Sequence, residues 1–159
     1  MKYKVAPEPV ALAVLRDAHA AVPLVPESTD DCCARIVDRT DVATRADADA
    51  WLPFLDALGL ATRTDRGYRR ERREVDPDAL AAPFRDNVFG VAAVLDALAD
   101  ADGPLSAAET FERVREVVPT WERNRHADWE GTWTVRVARL LDWAVVFGLA
   151  TRTGEGYTA

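Results

Sequence analysis

Apolar residues recur at helical spacing along most of this chain, and short polar or proline-containing segments separate the apolar stretches. Several of these stretches begin with a capping signal, a Ser or Thr followed three residues later by an acid, as in Ser28/Asp31, Thr44/Asp47 and Ser106/Glu109. The pattern predicts helices over residues 9–21, 28–39, 45–58, 87–101, 106–118 and 130–147.

One stretch of ten residues occurs almost twice. Gly59 to Tyr68 reads GLATRTDRGY and Gly148 to Tyr157 reads GLATRTGEGY, so only the two central residues differ. Each copy follows a predicted helix and indicates a glycine helix cap, a short strand, a tight turn and a returning strand. Repetition of this kind predicts two copies of one supersecondary unit.

The order of elements within each copy is helix, extended link, helix, turn, helix and hairpin. In this order and in its helix-glycine-hairpin signature, each copy resembles a winged helix-turn-helix domain, and the chain resembles a tandem winged-helix protein. The resemblance implies a mainly α fold with short β-hairpins, of the α+β class. We expect a first domain over residues 1–75, a packed linker over 76–85 and a second domain over 86–159.

The charged residues are unusual in kind. The net charge is −7, with eighteen Arg but only Lys2 and Lys4, and Asp exceeds Glu. Such a composition resembles that of cytoplasmic proteins from salt-loving archaea, and it argues against general binding of polyanions. No segment resembles a signal peptide, and no apolar run reaches transmembrane length, so we expect a cytoplasmic protein without membrane contact.

No motif indicates catalysis or a cofactor. The sequence has no glycine-rich phosphate loop, zincin pair, nucleophile elbow or CxxC motif. His126 and Asp128 lack a third metal ligand, and the adjacent Cys32 and Cys33 are interpreted as core residues. We therefore expect a protein that is not an enzyme and that binds no cofactor or metal.

The first predicted hairpin is the most basic part of the chain. The third helix before it begins with Asp47 and Asp49, which makes that helix a poor reader of DNA. The hairpin and the residues after it can instead hold phosphates through arginines, or they can simply form a solvated hairpin with paired charges. The arginines are Arg63, Arg66, Arg69, Arg70, Arg72 and Arg73.

The third helix of the second copy has two candidate faces. A core-facing stripe is predicted for Trp133, Val137, Leu140, Leu141 and Ala144. A separate face, containing Thr132, Arg136, Arg139 and Trp143, carries two Arg and no acid. This face is compatible with entry into a major groove, where Arg reads guanine, or it is the polar flank of a packed helix.

The second copy also has an insertion in which basic residues alternate with tryptophans, over Trp121, Arg123, Arg125, His126 and Trp129. This composition suits stacking on bases or on a partner protein, and it equally suits a long loop that its two Trp attach to the domain. The resemblance implies duplex DNA binding of the transcription-regulator type. The alternative is a protein-interaction subunit of a larger complex. The sequence is also compatible with a homodimer.

Overall fold

The computed structural model describes residues 6–9, 11–40 and 45–159, without the side chains of residues 45 and 46. The predicted Thr44 cap therefore lies outside the described residues. The chain divides into two compact units, Met1–Val88 and Phe89–Ala159. Each unit contains three principal helices followed by a hairpin, so the expected α+β fold with a repeated order of elements is confirmed.

The first unit contains four helices and a two-stranded hairpin. Their bounds are α1 Leu12–Ala21, α2 Thr29–Arg39, α3 Arg45–Ala57, β1 Ala61–Thr64, β2 Gly67–Arg70 and α4 Pro77–Asn87. The Ser28 hydroxyl accepts a hydrogen bond from the backbone N–H of Asp31, as the capping signal predicted.

A third strand position, which sequence analysis did not predict, lies in the link between α1 and α2. Glu27 pairs with Tyr68 of β2, and two backbone hydrogen bonds of 3.1 and 2.9 Å join the two residues. In the second unit Leu105 pairs with Tyr157 in the same way, with bonds of 3.0 and 2.8 Å. In each unit the link thus adds a one-residue β-bridge to the outer edge of the two-stranded hairpin.

Helix α4 occupies most of the segment that was expected to be a linker, and it belongs to the first unit. Phe84 is fully buried and its ring meets that of Phe54 edge to face, with centroids 6.3 Å apart. The Asn87 side chain donates a 2.9 Å hydrogen bond to the carbonyl of Ala57 at the end of α3. The first unit consequently extends to Val88 rather than ending near residue 75.

The second unit repeats the order with one additional helix. Its elements are α5 Val91–Asp100, α6 Ala107–Val114, a short 3-10 helix Arg115–Val117, α7 Thr120–Arg125, α8 Trp129–Val146, β3 Thr151–Thr153 and β4 Gly156–Thr158. Helix α5 starts later than predicted, because Gly90 adopts a left-handed conformation with φ of 87°. The predicted capping box of Ser106 and Glu109 is present at α6.

Helix α7 lies where the sequence suggested a long loop. Pro119 occupies the N-cap position, Glu122 lies in the first turn, and Arg123 and Arg125 lie in the last turn. These charges complement the helix dipole, which favours even a helix of six residues. The insertion is therefore an ordered element of the second unit.

Both third helices end in the same way. Gly59 and Gly148 have φ of 78° and 73°, and the backbone hydrogen bonds around them form a Schellman motif. The residue before each glycine, Leu58 or Phe147, is buried with 1% and 2% of its surface exposed, as the repeat predicted. The repeated sequence thus joins each third helix to its hairpin through one buried side chain.

We predict that Leu58→Ala lowers the free energy of unfolding by about 2–5 kcal/mol, because it leaves a cavity where α3 meets the hairpin. Denaturant unfolding followed by circular dichroism measures this change. Leu24→Ala is the matched control, since Leu24 is 42% exposed and its truncation should cost far less. A loss below about 0.5 kcal/mol for Leu58→Ala would contradict this packing.

Candidate nucleic-acid interface

The hairpin of the first unit and the residues that follow it form a surface that we call the basic wing, residues 63–73. It contains six arginines against Asp65 and Glu71, a net charge of +4. The register pairs Arg63 with Tyr68 and Thr62 with Arg69, so these two arginines lie on opposite faces of the hairpin. Arg66 lies at the tip, in the turn between the strands.

Two of the six arginines are held by neighbouring groups. Arg69 Nη2 lies 3.2 Å from Glu71 Oε1, and Arg70 Nη1 donates a 3.2 Å hydrogen bond to the carbonyl of Ala20. Thr62 Oγ1 also donates to Glu71 Oε1, over 2.6 Å. This hydrogen bond, with smaller contributions from nearby arginines, lowers the pKa of the Glu71 carboxyl.

The other wing arginines point into solvent. Arg63, Arg66 and Arg72 are exposed, and no carboxylate oxygen of the described residues lies within 4.0 Å of their side-chain nitrogens. Arg73 is also exposed and its guanidinium lies near Gly59. The positive charge of these four side chains is therefore accessible to a ligand.

The base of the basic wing is attached to α1. His19 Nε2 lies 2.8 Å from the carbonyl oxygen of Glu71, and Arg16 Nη2 donates to the carbonyl of Val75 over 3.5 Å. An open groove of about 410 Å³ runs along this attachment, and Arg70, Arg72 and Arg73 contribute to its lining. The groove thus lies between the basic wing and α1, and Glu71 and Glu74 line it together with these arginines.

The exposed side of α3 is acidic. Asp47 and Asp49 are exposed, Asp56 is partly exposed, and no Lys or Arg occurs from residue 47 to residue 58. Trp51, Leu52, Phe54 and Leu55 are all buried. Carboxylates consequently occupy the side of this helix that faces solvent.

In the second unit, α8 buries the predicted core stripe, since Trp133, Val137, Leu140, Leu141 and Ala144 are all buried. The expected second face is not a continuous solvent-exposed face. Trp143 is completely buried and stacks on Phe147 with ring centroids 5.7 Å apart. Thr132 and Arg139 remain partly exposed at positions compatible with the predicted role, which stays a prediction.

Arg136 is engaged by a buried carboxylate that sequence analysis missed. Glu122 of α7 is 1% exposed, and its Oε2 accepts hydrogen bonds from Arg136 Nη1 over 3.0 Å and from Trp133 Nε1 over 3.3 Å. His126 Nε2 lies 3.3 Å from the same oxygen without the angles of a hydrogen bond. We call these four residues the Glu122 cluster. The packing of α7 on α8 brings Glu122 and His126 together with Trp133 and Arg136.

The remaining insertion residues divide between packing and solvent. Arg123 donates to the carbonyls of Val118 and Arg115 over 3.2 and 3.0 Å, and its guanidinium lies 4.8 Å from the Trp129 ring centroid. Arg125 is largely exposed, 3.9 Å from Glu122, and Trp121 is 53% exposed. Trp129 and Arg123 thus attach the insertion to the second unit, whereas Trp121 leaves an aromatic surface in solvent.

The hairpin of the second unit carries little positive charge. Arg152 Nη1 lies 3.5 Å from Asp142 Oδ1, and the Tyr157 hydroxyl donates a hydrogen bond to the same oxygen. Burial and this hydrogen bond raise the pKa of Tyr157 to about 12. Glu155 occupies the turn position that Arg66 holds in the first unit. The charge of this hairpin is therefore balanced internally.

Two features are absent from the described part of the chain. It contains no group of three or more His, Cys, Asp or Glu side chains placed to hold a metal ion. None of its helices combines the length and the apolar character that crossing a bilayer requires.

Two units define a double winged-helix protein, since each has three principal helices followed by a hairpin, to which the link forms a β-bridge. The chain belongs to the halobacterial double winged helix domain family, whose model matches residues 1–159. The predicted tandem winged-helix resemblance is thereby confirmed. Comparison with curated proteins and with solved structures returned no match.

Proposed function

We propose that this protein binds double-stranded DNA through the basic wing of its first unit, as a non-catalytic regulator of transcription. The segregation of charge carries this proposal. The wing has a net charge of +4, so the rest of the chain carries −11 within a total of −7. The net negative charge of the rest of the chain opposes the approach of a polyanion, whereas the wing attracts it.

The exposed arginines supply the binding energy. Each arginine that neutralises a phosphate releases condensed counterions and adds about 0.9 to the salt slope of binding. Arg63, Arg66 and Arg72 are spread over the edge, tip and base of the hairpin, which suits contacts to successive phosphates. Arg69 and Arg70 contribute less in this arrangement, because Glu71 and the carbonyl of Ala20 already hold them.

We predict that Arg63→Gln with Arg72→Gln weakens binding to a short duplex roughly tenfold and lowers the salt slope by about two units. Fluorescence anisotropy over a series of potassium concentrations, low and high, measures both quantities. The matched control is Arg39→Gln with Arg113→Gln, which removes the same charge from exposed positions outside the wing. If both double variants weaken binding equally, net charge rather than the wing controls affinity.

The second unit offers a separate candidate, docking of a partner protein. Trp121 of α7 and Val135 of α8 are 53% and 55% exposed, whereas Trp133 and Trp143 of α8 are buried. Large aromatic side chains at this exposure are frequent anchors of protein interfaces. This candidate replaces the DNA proposal if no duplex binds at any salt concentration and Trp121→Ala abolishes a stable complex with a defined partner.

A further inference from the structure

We infer that the basic wing alone holds the duplex, with neither third helix in the major groove, so that affinity is independent of base sequence. This inference rests on the proposed DNA binding and concerns how the duplex docks. A winged helix usually reads bases with the first turns of its third helix. In both units of this chain those turns carry groups that oppose such docking.

In the first unit the obstacle is charge. Asp47 and Asp49 are exposed in the first turns of α3, where a groove-bound helix would approach phosphates. Arg45 is the first residue of α3, and no basic residue follows the two aspartates along the helix through residue 58. Bringing α3 to the DNA would therefore place carboxylates against the phosphate backbone, an approach that docking through the basic wing does not require.

In the second unit neighbouring side chains pack against the first turns of α8. Asp128 caps the helix, and Glu130 in the first turn forms a 3.1 Å ion pair with Arg115. Trp129 packs against Arg115 and Arg123, whose guanidinium carbons lie 5.4 and 4.8 Å from its ring centroid. Entry of this end into a groove would require these contacts to separate.

Several side chains that could otherwise contact bases form hydrogen bonds within the protein. Arg136 donates to the buried Glu122 carboxylate, which leaves Arg139 as the remaining arginine of the predicted face. In the basic wing, Thr62 donates to Glu71, and Thr64 Oγ1 donates to the Gly67 carbonyl while it accepts from the Arg66 N–H. The outward groups of the wing are thus guanidiniums spread along the hairpin, an arrangement that follows a backbone.

The test compares affinities for a panel of unrelated duplexes of equal length, measured by anisotropy with the full chain. We expect the dissociation constants to agree within about threefold, since phosphate contacts carry no sequence information. Asp49→Asn should change affinity no more than Asp102→Asn, which removes an exposed carboxylate from a loop outside the third helices and the wing. Arg139→Gln should behave as Arg113→Gln does, without altering the ranking of the duplexes.

Two results would overturn the docking inference and leave DNA binding intact. One is a preference of more than about tenfold for one duplex that Arg139→Gln removes. The other is tightening by Asp49→Asn well beyond that of Asp102→Asn, which would place α3 beside phosphates. Absence of binding to every duplex would instead reject the proposed function together with this inference. Circular dichroism of each variant verifies that the fold is retained.

Discussion

Gly67→Ala is expected to destabilise the first unit by more than about 4 kcal/mol, a large share of the stability of a typical small domain. Gly67 has a φ of 115°, and a Cβ built on it would lie 1.7 Å from the carbonyl oxygen of Glu27. The backbone fixes the position of this Cβ, and the oxygen of Glu27 is itself a backbone atom. No side-chain rotation can therefore relieve the overlap. The strand pairing of Glu27 with Tyr68 would have to break, with the loss of its two hydrogen bonds.

Denaturant unfolding followed by circular dichroism measures this effect, and the second hairpin provides both a replicate and a control. Gly156→Ala should behave similarly, because its Cβ would lie 2.4 Å from the Leu105 carbonyl oxygen. Gly154→Ala should be nearly neutral, since no heavy atom lies within 4 Å of its Cβ position. The first unit already has Asp65 at the corresponding turn position.

Equal stability of Gly67→Ala and Gly154→Ala would show that the link strand does not pair closely with the hairpin. The bridge between Glu27 of the link and Tyr68 of β2 would then be wrong for the first unit. The basic wing would also lose the backbone contact that holds its second strand against the rest of the unit.

Glu122→Ala is expected to destabilise the second unit by about 3–5 kcal/mol, because it leaves the partly buried Arg136 without its carboxylate. It also removes the acceptor of the Trp133 indole N–H, and an unsatisfied buried donor adds to the cost. Glu122→Gln should cost less, since the amide oxygen can still accept a hydrogen bond although the charge is lost. Thermal and denaturant unfolding of the two variants measure the difference.

The control for the Glu122 cluster is an exposed ion pair in the same unit. Glu112 lies 2.9 Å from Arg115 Nη1 with 60% of its side chain exposed, so Glu112→Ala should cost no more than about 1 kcal/mol. If Glu122→Ala costs equally little, the carboxylate is not buried against Arg136. Arg136 would then be available to DNA, which would weaken the inference that the basic wing alone holds the duplex.

Much of the fold could be predicted because its determinants are local in sequence. Helical spacing predicted the core stripe of α8, and Ser106 with Glu109 predicted the start of α6. The repeated helix-glycine-hairpin segment predicted both Schellman ends and the burial of Leu58 and Phe147. Each of these features depends on residues a few positions apart, whose geometry the helix period and the capping motifs specify.

The candidate site was predictable only in part. The concentration of arginine between residues 63 and 73 is visible in the sequence, but their availability is not. The structure separates exposed Arg63, Arg66 and Arg72 from Arg69, which lies beside Glu71, and from Arg70, which is bonded to α1. Composition reports how many charges a segment carries, whereas tertiary contacts decide which charges remain for a ligand.

The sequence by itself determined the repeat, the helices with their caps and the position of the basic wing. Tertiary structure decided that the link forms a β-bridge to each hairpin, that Trp143 is buried, and that Glu122 holds Arg136. Glu122 and Arg136 are fourteen residues apart on different helices. No local period relates such positions, and only the packing of α7 on α8 brings their charges within hydrogen-bonding distance.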